Sequence, residues 1–398
     1  MRKAIFGLCV VGALRAQTRQ VGEAEVRKVH ATAIVIDLHN DVTSKTVDGL
    51  DIGLDAKTGH TDLGRLRAGN VGAQFFAAYV STRSMTGNHA AHRALEMIDT
   101  IRRDIVEKHP GDFELATTAA DIVRIRKQGK IAALIGIEGG HAIEESLRLL
   151  RQFHALGVRY MTLTHTRDLA WAGSSGSPAN KGLSAFGKQV IAEMNGLGMM
   201  IDVSHVSDQT FWDAIAATKA PLIASHSSCR AISNVPRNMS DEMIRALGKN
   251  GGVIHINFSC DYLNPESHRT SPSRDPARRA ERQAAMDKVN ANPDPAVRRA
   301  GWDKAMDETG TGMVRATLAD VVAHIDHVVK VAGVDHVGLG SDFDGVGCTP
   351  IGLSDVSEFP NLTRALLEKG YSAADVQKIH GGNTLRVMRA VEKAAQSR

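Results

Sequence analysis

Cysteine is scarce in this chain, with four in 398 residues, at positions 9, 229, 260 and 348. That is too few for a disulfide scaffold, and none of the close pairs of a zinc ribbon or finger occurs, although one disulfide stays open. A surplus of one charge is missing too: 48 basic residues face 44 acidic ones. Arg2, Lys3 and Arg15 supply most of that difference from an opening segment without acids, so the body lacks the excess expected of a nucleic-acid binder. No apolar run approaches the ~20 residues that span a bilayer. The closing residues, VMRAVEKAAQSR, are polar and basic, so no lipid-anchor tail is expected there. No repeat recurs at solenoid periods.

What is present is enough apolar material for a sizeable core, 43% hydrophobic residues against 23% charged. The start, MRKAIFGLCVVGALRAQ, has a positive head, an apolar run from Ala4 to Leu14 and the small Ala16 at a cleavage position. It reads as a signal peptide over 1–16, giving an exported chain, periplasmic or secreted, that begins near Gln17. Residues 17–398 read as one domain, because barrels of strand and helix repeats often run past ~250 residues.

Eight apolar runs qualify as strands: 34–39, 73–80, 131–138, 159–165, 199–205, 221–227, 252–258 and 336–342. Near-continuous apolar strands are what a parallel sheet covered on both faces requires. Amphipathic stretches at 89–109, 144–155, 183–197, 207–218, 240–248 and 317–332 separate them, and alternating β and α elements imply right-handed crossovers. The expected fold is a (β/α)8 TIM barrel of the metal-dependent hydrolase type; an open doubly wound sheet is the rival. The seventh and eighth runs are separated by a long Pro-, Arg- and Asp-rich segment, 265–316, expected to be helices inserted over one rim. They are expected to form a cap or contact element, with a solvated charged surface as the equal alternative, and the interleaved acids speak against a nucleic-acid role for its arginines.

The barrel is favoured by where the polar residues fall. His39 and Asp41, Glu138, His165, His205, His226 and Asp342 stand at or just past the C-terminal ends of six strands, which in a barrel converge on one mouth. His39 and Asp41, two apart, project the same way and can share one metal ion. Glu138 precedes Gly139 and Gly140, expected to leave room for a bridging carboxylate, and His205 and His226 can ligate a second ion. Singly, each histidine is more often a hydrogen-bonded structural residue, and Asp37, Asp202 and Asp344 read as caps, salt-bridge partners or supports of ligands.

These residues lie in motifs that resemble the membrane (renal) dipeptidases: IDLHND at 36–41, GIEGGHA at 136–142, RYMTLTH at 159–165, DVSHVS at 202–207, ASHSS at 224–228, PRNMSD at 236–241, GLGSDFDG at 338–345 and GGNTLRV at 381–387. The resemblance implies a binuclear zinc barrel that hydrolyses dipeptides. It implies one zinc on His39 and Asp41, a second on His205 and His226, and Glu138 and a hydroxide bridging them. By it His165 steadies the tetrahedral intermediate, Arg237 clamps the substrate's free carboxylate, Asp342 carries the catalytic proton and Tyr262 is a further active-site residue. A homodimer is expected by family likeness alone. Family members often follow His-Asn-Asp with Pro and Trp, whereas Val42, Thr43 and Ser44 follow here, so side-chain specificity is not carried over.

The chemistry has its own logic. Paired cations lower the pKa of bound water from 15.7 toward ~7, giving a nucleophile at neutral pH. A donor at His165 can stabilise the oxyanion, Asp342 can return the proton to the leaving amine, and the planar Arg237 fork matches a carboxylate. The alternatives are a related barrel hydrolase acting on lactams, lactones or phosphoesters, and a non-catalytic binding barrel. The carboxylate clamp speaks against neutral triesters, and the intact set of ligands speaks against the binder.

Overall fold

The computed structural model describes residues 19–396 apart from Lys57 and Asn88. The expected leader at 1–16 lies outside the described residues. Nine strands, β1 (Val35–Asn40), β2 (Val71–Tyr79), β3 (Phe113–Leu115), β4 (Ile131–Glu138), β5 (Val158–Thr162), β6 (Met200–Asp202), β7 (Ile223–Ser227), β8 (Val253–Ile256) and β9 (Val337–Leu339), form one parallel sheet. Their order is β2-β1-β9-β8-β7-β6-β5-β4-β3, and β2 also pairs with β4 from Ala73 to Tyr79. That last pairing closes the sheet. β3 runs only along Ile131 to Ala133 at the start of β4, outside the ring, so eight strands make the (β/α)8 barrel.

Each apolar run of the sequence overlaps one barrel strand, but five strands end earlier than their runs, β2 at Tyr79 and β8 at Ile256 by one or two residues, and β5 at Thr162, β6 at Asp202 and β9 at Leu339 by three. His165, His205 and Asp342 therefore stand on loops just beyond strand ends. The strands are apolar throughout because helices cover them outside and side chains fill them inside; β1, β4 and β7 have no exposed residue. The helices begin where the sequence supplies a cap. Ser146, Ser184, Ser207 and Ser240 each accept a backbone N–H at the start of Leu147–Ala155, Ala185–Leu197, Asp208–Ala217 and Asp241–Lys249. Such caps typically contribute about 0.5–2 kcal/mol each, and here they also fix where the preceding active-face loop must stop.

The segment between β8 and β9 is helical, as expected. Asn264, Asp275 and Asp294 cap Pro265–Thr270, Pro276–Asn290 and Pro295–Gly310, with proline in the first turn each time. These helices lie over the barrel mouth. Lys45, 3% exposed, reaches Asp303 at 3.0 Å and Asp344 at 2.8 Å; Arg298 and Arg299 engage Asp48. A Cys260–Cys348 disulfide, Cα atoms 5.5 Å apart, joins the loops that follow β8 and β9 and so flanks the insertion. The disulfide left open by the sequence is thus formed, while Cys229 is free and buried.

Candidate metal centre

At the C-terminal end of the barrel, seven polar side chains from the ends of six strands and the loops just beyond them meet. Glu138, at the tip of β4, is the hub: its Oε1 lies 3.0 Å from His205 Nε2, 3.3 Å from His226 Nε2 and 3.7 Å from His165 Nε2. Its other oxygen lies 3.6 Å from His39 Nε2, which is 3.2 Å from Asp41. Ligand-capable atoms fall into three groups, His39–Glu138–His226, Glu138–His165–His205 and His39–Asp41–Asp342, so Glu138 and His39 each serve two. The His39 and His226 rings stack with centroids 3.8 Å apart, and the Nε2 atoms of His205 and His226 approach to 2.9 Å. His165, expected to act on substrate, sits among the ligand-capable groups as well.

Neighbouring residues fix which ring nitrogen faces inward. His39 Nδ1 meets the Tyr160 hydroxyl at 2.8 Å and His226 Nδ1 meets Ser225 Oγ at 2.7 Å. Ser225 in turn donates to Asp202, which also accepts from Thr162. When each Nδ1–H donates outward, the Nε2 lone pair is left for a cation. His39 Nε2 is buried without a hydrogen-bond partner, the condition a metal would relieve. Three carboxylates and four imidazoles converging in a water-poor site are a donor set that fits divalent transition metals. The residues fit the group.

Two of the site residues have left-handed backbone. His205 and Asp342 hold φ of 65° and 63°, outside glycine's usual monopoly of that region, and such residues cost about 1–3 kcal/mol each. Thr164 Oγ1 and the Ser175 N–H both donate to the His205 carbonyl, and the Asp342 N–H donates to His39 O at 3.0 Å. Gly345 allows the approach of Asp41 to Asp342, since a Cβ there would lie 2.3 Å from Asp41 Oδ2. Gly139 and Gly140 do not make room for the Glu138 carboxylate as expected. A Cβ at 139 would strike the His141 ring and one at 140 the Leu163 carbonyl and Trp171, so these glycines serve the packing behind the hub.

The electrostatics separate the acids. Burial opposes ionisation of Glu138, but His39, His165, His205 and His226 outweigh it and hold the carboxyl well below its usual range. Burial raises Asp342 to about 8, with Asp41 and Glu138 adding to it against His39; Asn257 donates to its Oδ2 at 2.7 Å. His165 is pushed down by burial and by the Arg237 and His39 charges, against Glu138, so it is a neutral imidazole. Arg237 donates to Ser227 Oγ and to the His226 carbonyl, both at 2.8 Å, and its Nε has no partner. The Tyr262 ring lies 5.7 Å from its guanidinium carbon, and burial raises the phenol to about 12.

Above these groups is a cavity of about 390 Å³, walled by Tyr79, Tyr262, Met286, Trp302 and Met306, with Asp41, Glu138 and Asp342 at its floor. Every site residue expected from the sequence is thus at or beside one chamber. Tyr160, Asn257 and the inserted Trp302 were not singled out. Asn257 follows a strand as the others do, so the strand-end pattern extended to β8 would have found it; Tyr160 is a lone phenol inside an apolar run. For Trp302 the sequence carries no signal.

Residues 23–398 match the membrane dipeptidase family, peptidase family M19. The chain belongs to that family. An uncharacterized dipeptidase of Schizosaccharomyces pombe is 35% identical over 401 residues, covering 95% of this chain and 85% of the relative. The probable dipeptidase PvdM from Pseudomonas aeruginosa is 28% identical, with TM-score 0.79, over 94% of this chain and 98% of that one. A metallo peptidase from Rhodobacter sphaeroides, liganded with a phosphinate mimic of the dipeptide L-Ala-D-Ala, is 25% identical, with TM-score 0.73, over 90% and 99%. The family member described here is a metal-dependent dipeptidase with a TIM-barrel fold. Among the described residues no helix is long and apolar enough to cross a membrane.

Proposed function

We propose that this dipeptidase carries two zinc ions and cleaves the single amide bond of free dipeptides. His39 and Asp41 would hold one ion, His205 and His226 the other, and Glu138 both. The observation that carries this reading is the Glu138 carboxylate, which turns one oxygen to His205 and His226 at 3.0 and 3.3 Å and the other to His39 at 3.6 Å. Bound there, the ions supply Lewis-acid polarisation of the scissile carbonyl and a water nucleophile at neutral pH.

The remaining work falls to the chain. Asp342, beside Asp41 and held by the Asn257 amide at 2.7 Å, would accept the proton given up by the attacking water and return it to the departing amine, which cannot leave as an anion. Neutral His165 donates an N–H toward the oxygen on which negative charge develops. Arg237 keeps spare N–H groups after its bonds to Ser227 and His226, and with the Tyr262 O–H it can receive a terminal carboxylate. A chamber of about 390 Å³ suits a dipeptide, and the Rhodobacter sphaeroides neighbour bound a dipeptide mimic. We further propose export with the leader removed near Gln17; a disulfide persists in that oxidising setting, and an N-terminus at Met1 in a cytosolic fraction would refute it.

The test is a panel of dipeptides with free and amidated C-termini, assayed with zinc-loaded protein. Free dipeptides should turn over, and Arg237→Ala should raise KM for Ala-Ala by about tenfold or more while barely changing it for the amide. Equal effects on both substrates would remove the clamp, and no turnover of any free dipeptide would remove the reading.

A further inference from the structure

The chamber is polarised. Its acids, Asp41, Glu138 and Asp342, lie on the floor, and the walls carry no carboxylate but three guanidinium groups, Arg83, Arg167 and Arg282. Arg83 is paired with Asp287 of the inserted helix Pro276–Asn290, and Arg167 is exposed to solvent. Arg282, on the same inserted helix, differs from both. It is half-buried, yet its guanidinium makes no hydrogen bond or ion pair with any described residue. The acid whose charge reaches it, Asp261, accepts from Ser271 at 2.9 Å and from Ser273 at 3.3 Å through Oδ2, while its Oδ1 has no hydrogen-bond partner. A cation partly withdrawn from water, facing the chamber and held in no ion pair, is free to take up an anion that enters.

Position says which part of a substrate it would meet. Arg282 and Tyr262 line the same chamber, and Tyr262 packs against Arg237. Under the function proposed above, on which this step rests, Arg237 receives the terminal carboxylate, so Arg282 stands on the side of the C-terminal residue. We propose that Arg282 is a specificity residue that receives an anionic side chain there, making dipeptides ending in aspartate or glutamate the preferred class. The planar fork suits a carboxylate in a way that a lysine would not. The arginine-rich insertion would then be a substrate-reading cap; from the sequence alone a cap or contact element and a solvated charged surface both stay open.

The experiment compares Ala-Glu with its isostere Ala-Gln, and with Ala-Ala and Ala-Lys, using zinc-loaded full-length enzyme. The readout is the ratio of kcat/KM values, because any general damage to the cap lowers both members of the ratio alike. The wild-type Ala-Glu to Ala-Gln ratio should be on the order of tenfold or more, the worth of a charged hydrogen-bonded pair. Ala-Lys should fall below Ala-Gln. Arg282→Gln should bring the ratio close to one, mainly through KM, Arg282→Lys should leave it intermediate, and Arg278→Gln on the same helix should leave it unchanged. A wild-type ratio near one, or a ratio unmoved by Arg282→Gln, overturns the assignment while Ala-Ala hydrolysis leaves the dipeptidase reading standing. No turnover of any of the four overturns both.

Discussion

Replacing Tyr160 by phenylalanine removes one oxygen atom and isolates the part of the metal centre that lies behind the ligands. The ring should stay in place. It is fully buried against Phe75, with centroids 5.4 Å apart, and fills the space left by Gly136, where a Cβ would come within 2.0 Å of the ring. What is lost is the 2.8 Å partner of His39 Nδ1, in surroundings where neither side chain meets solvent. Orphaning a buried polar group costs about 1–3 kcal/mol. Losing the group that orients a ligating histidine costs about 10–100-fold in metal affinity, which is about 1.4–2.8 kcal/mol and agrees with that range. Competition against a chromogenic chelator at fixed pH measures it. Tyr160→Phe should release the more weakly held metal at roughly tenfold lower chelator or below, and turnover should return when metal is added in excess. Phe75→Leu loosens the same packing without touching Nδ1 and should not change affinity. Wild-type affinity in Tyr160→Phe, or an equal loss in Phe75→Leu, would refute the reasoning.

Other outcomes are equally definite. Asp342→Asn keeps the hydrogen bond geometry near Asn257 but cannot carry a proton, so metal content should persist while kcat falls by about 10²-fold or more; full turnover would end its role. Acid stability has a defined sign. His255 is fully buried between Ala224 O and Thr384 Oγ1, and burial lowers it to about 3 against a backbone hydrogen bond that raises it. Being neutral in the fold and near 6.5 when unfolded, it contributes fully above pH 6.5 and loses that contribution as pH falls toward 3. The melting temperature should therefore drop less between pH 6.5 and 4.5 in His255→Gln than in the wild type, the difference reflecting up to about 1.4 kcal/mol per pH unit. Parallel pH profiles would show that His255 titrates elsewhere.

Much of this architecture was legible because parallel barrel strands advertise themselves as apolar runs. β1, β4 and β7 are buried from end to end, so nothing interrupts their pattern. β3 was not, since Phe113–Leu115 is three residues long with two of them half-buried. The helix expected over 89–109 is α-helical only as Ala90–Thr100 and continues as a π-helical stretch, Ile101–Glu107, which no residue spacing announces. The ligand set was legible for a topological reason: a barrel sends every strand's C-terminal end to one mouth, so polar residues at strand ends must meet. What stayed hidden depends on pairing across the fold. His39 and Tyr160 are 121 residues apart, and Lys45 and Asp303 are 258 apart. The left-handed backbone of His205 and Asp342 is likewise held by hydrogen bonds from across the fold, to the His205 carbonyl from Thr164 and Ser175 and from the Asp342 N–H to His39.

The central claim is that His39, Asp41, Glu138, His205 and His226 hold a pair of metal ions through one shared carboxylate. Counting tightly bound metal per chain after dialysis, in the wild type and in Glu138→Ala, tests it most directly. Two ions per wild-type chain and loss of both in the variant are the predicted result; no bound metal in the wild type, or two ions retained without the Glu138 carboxylate, would contradict it.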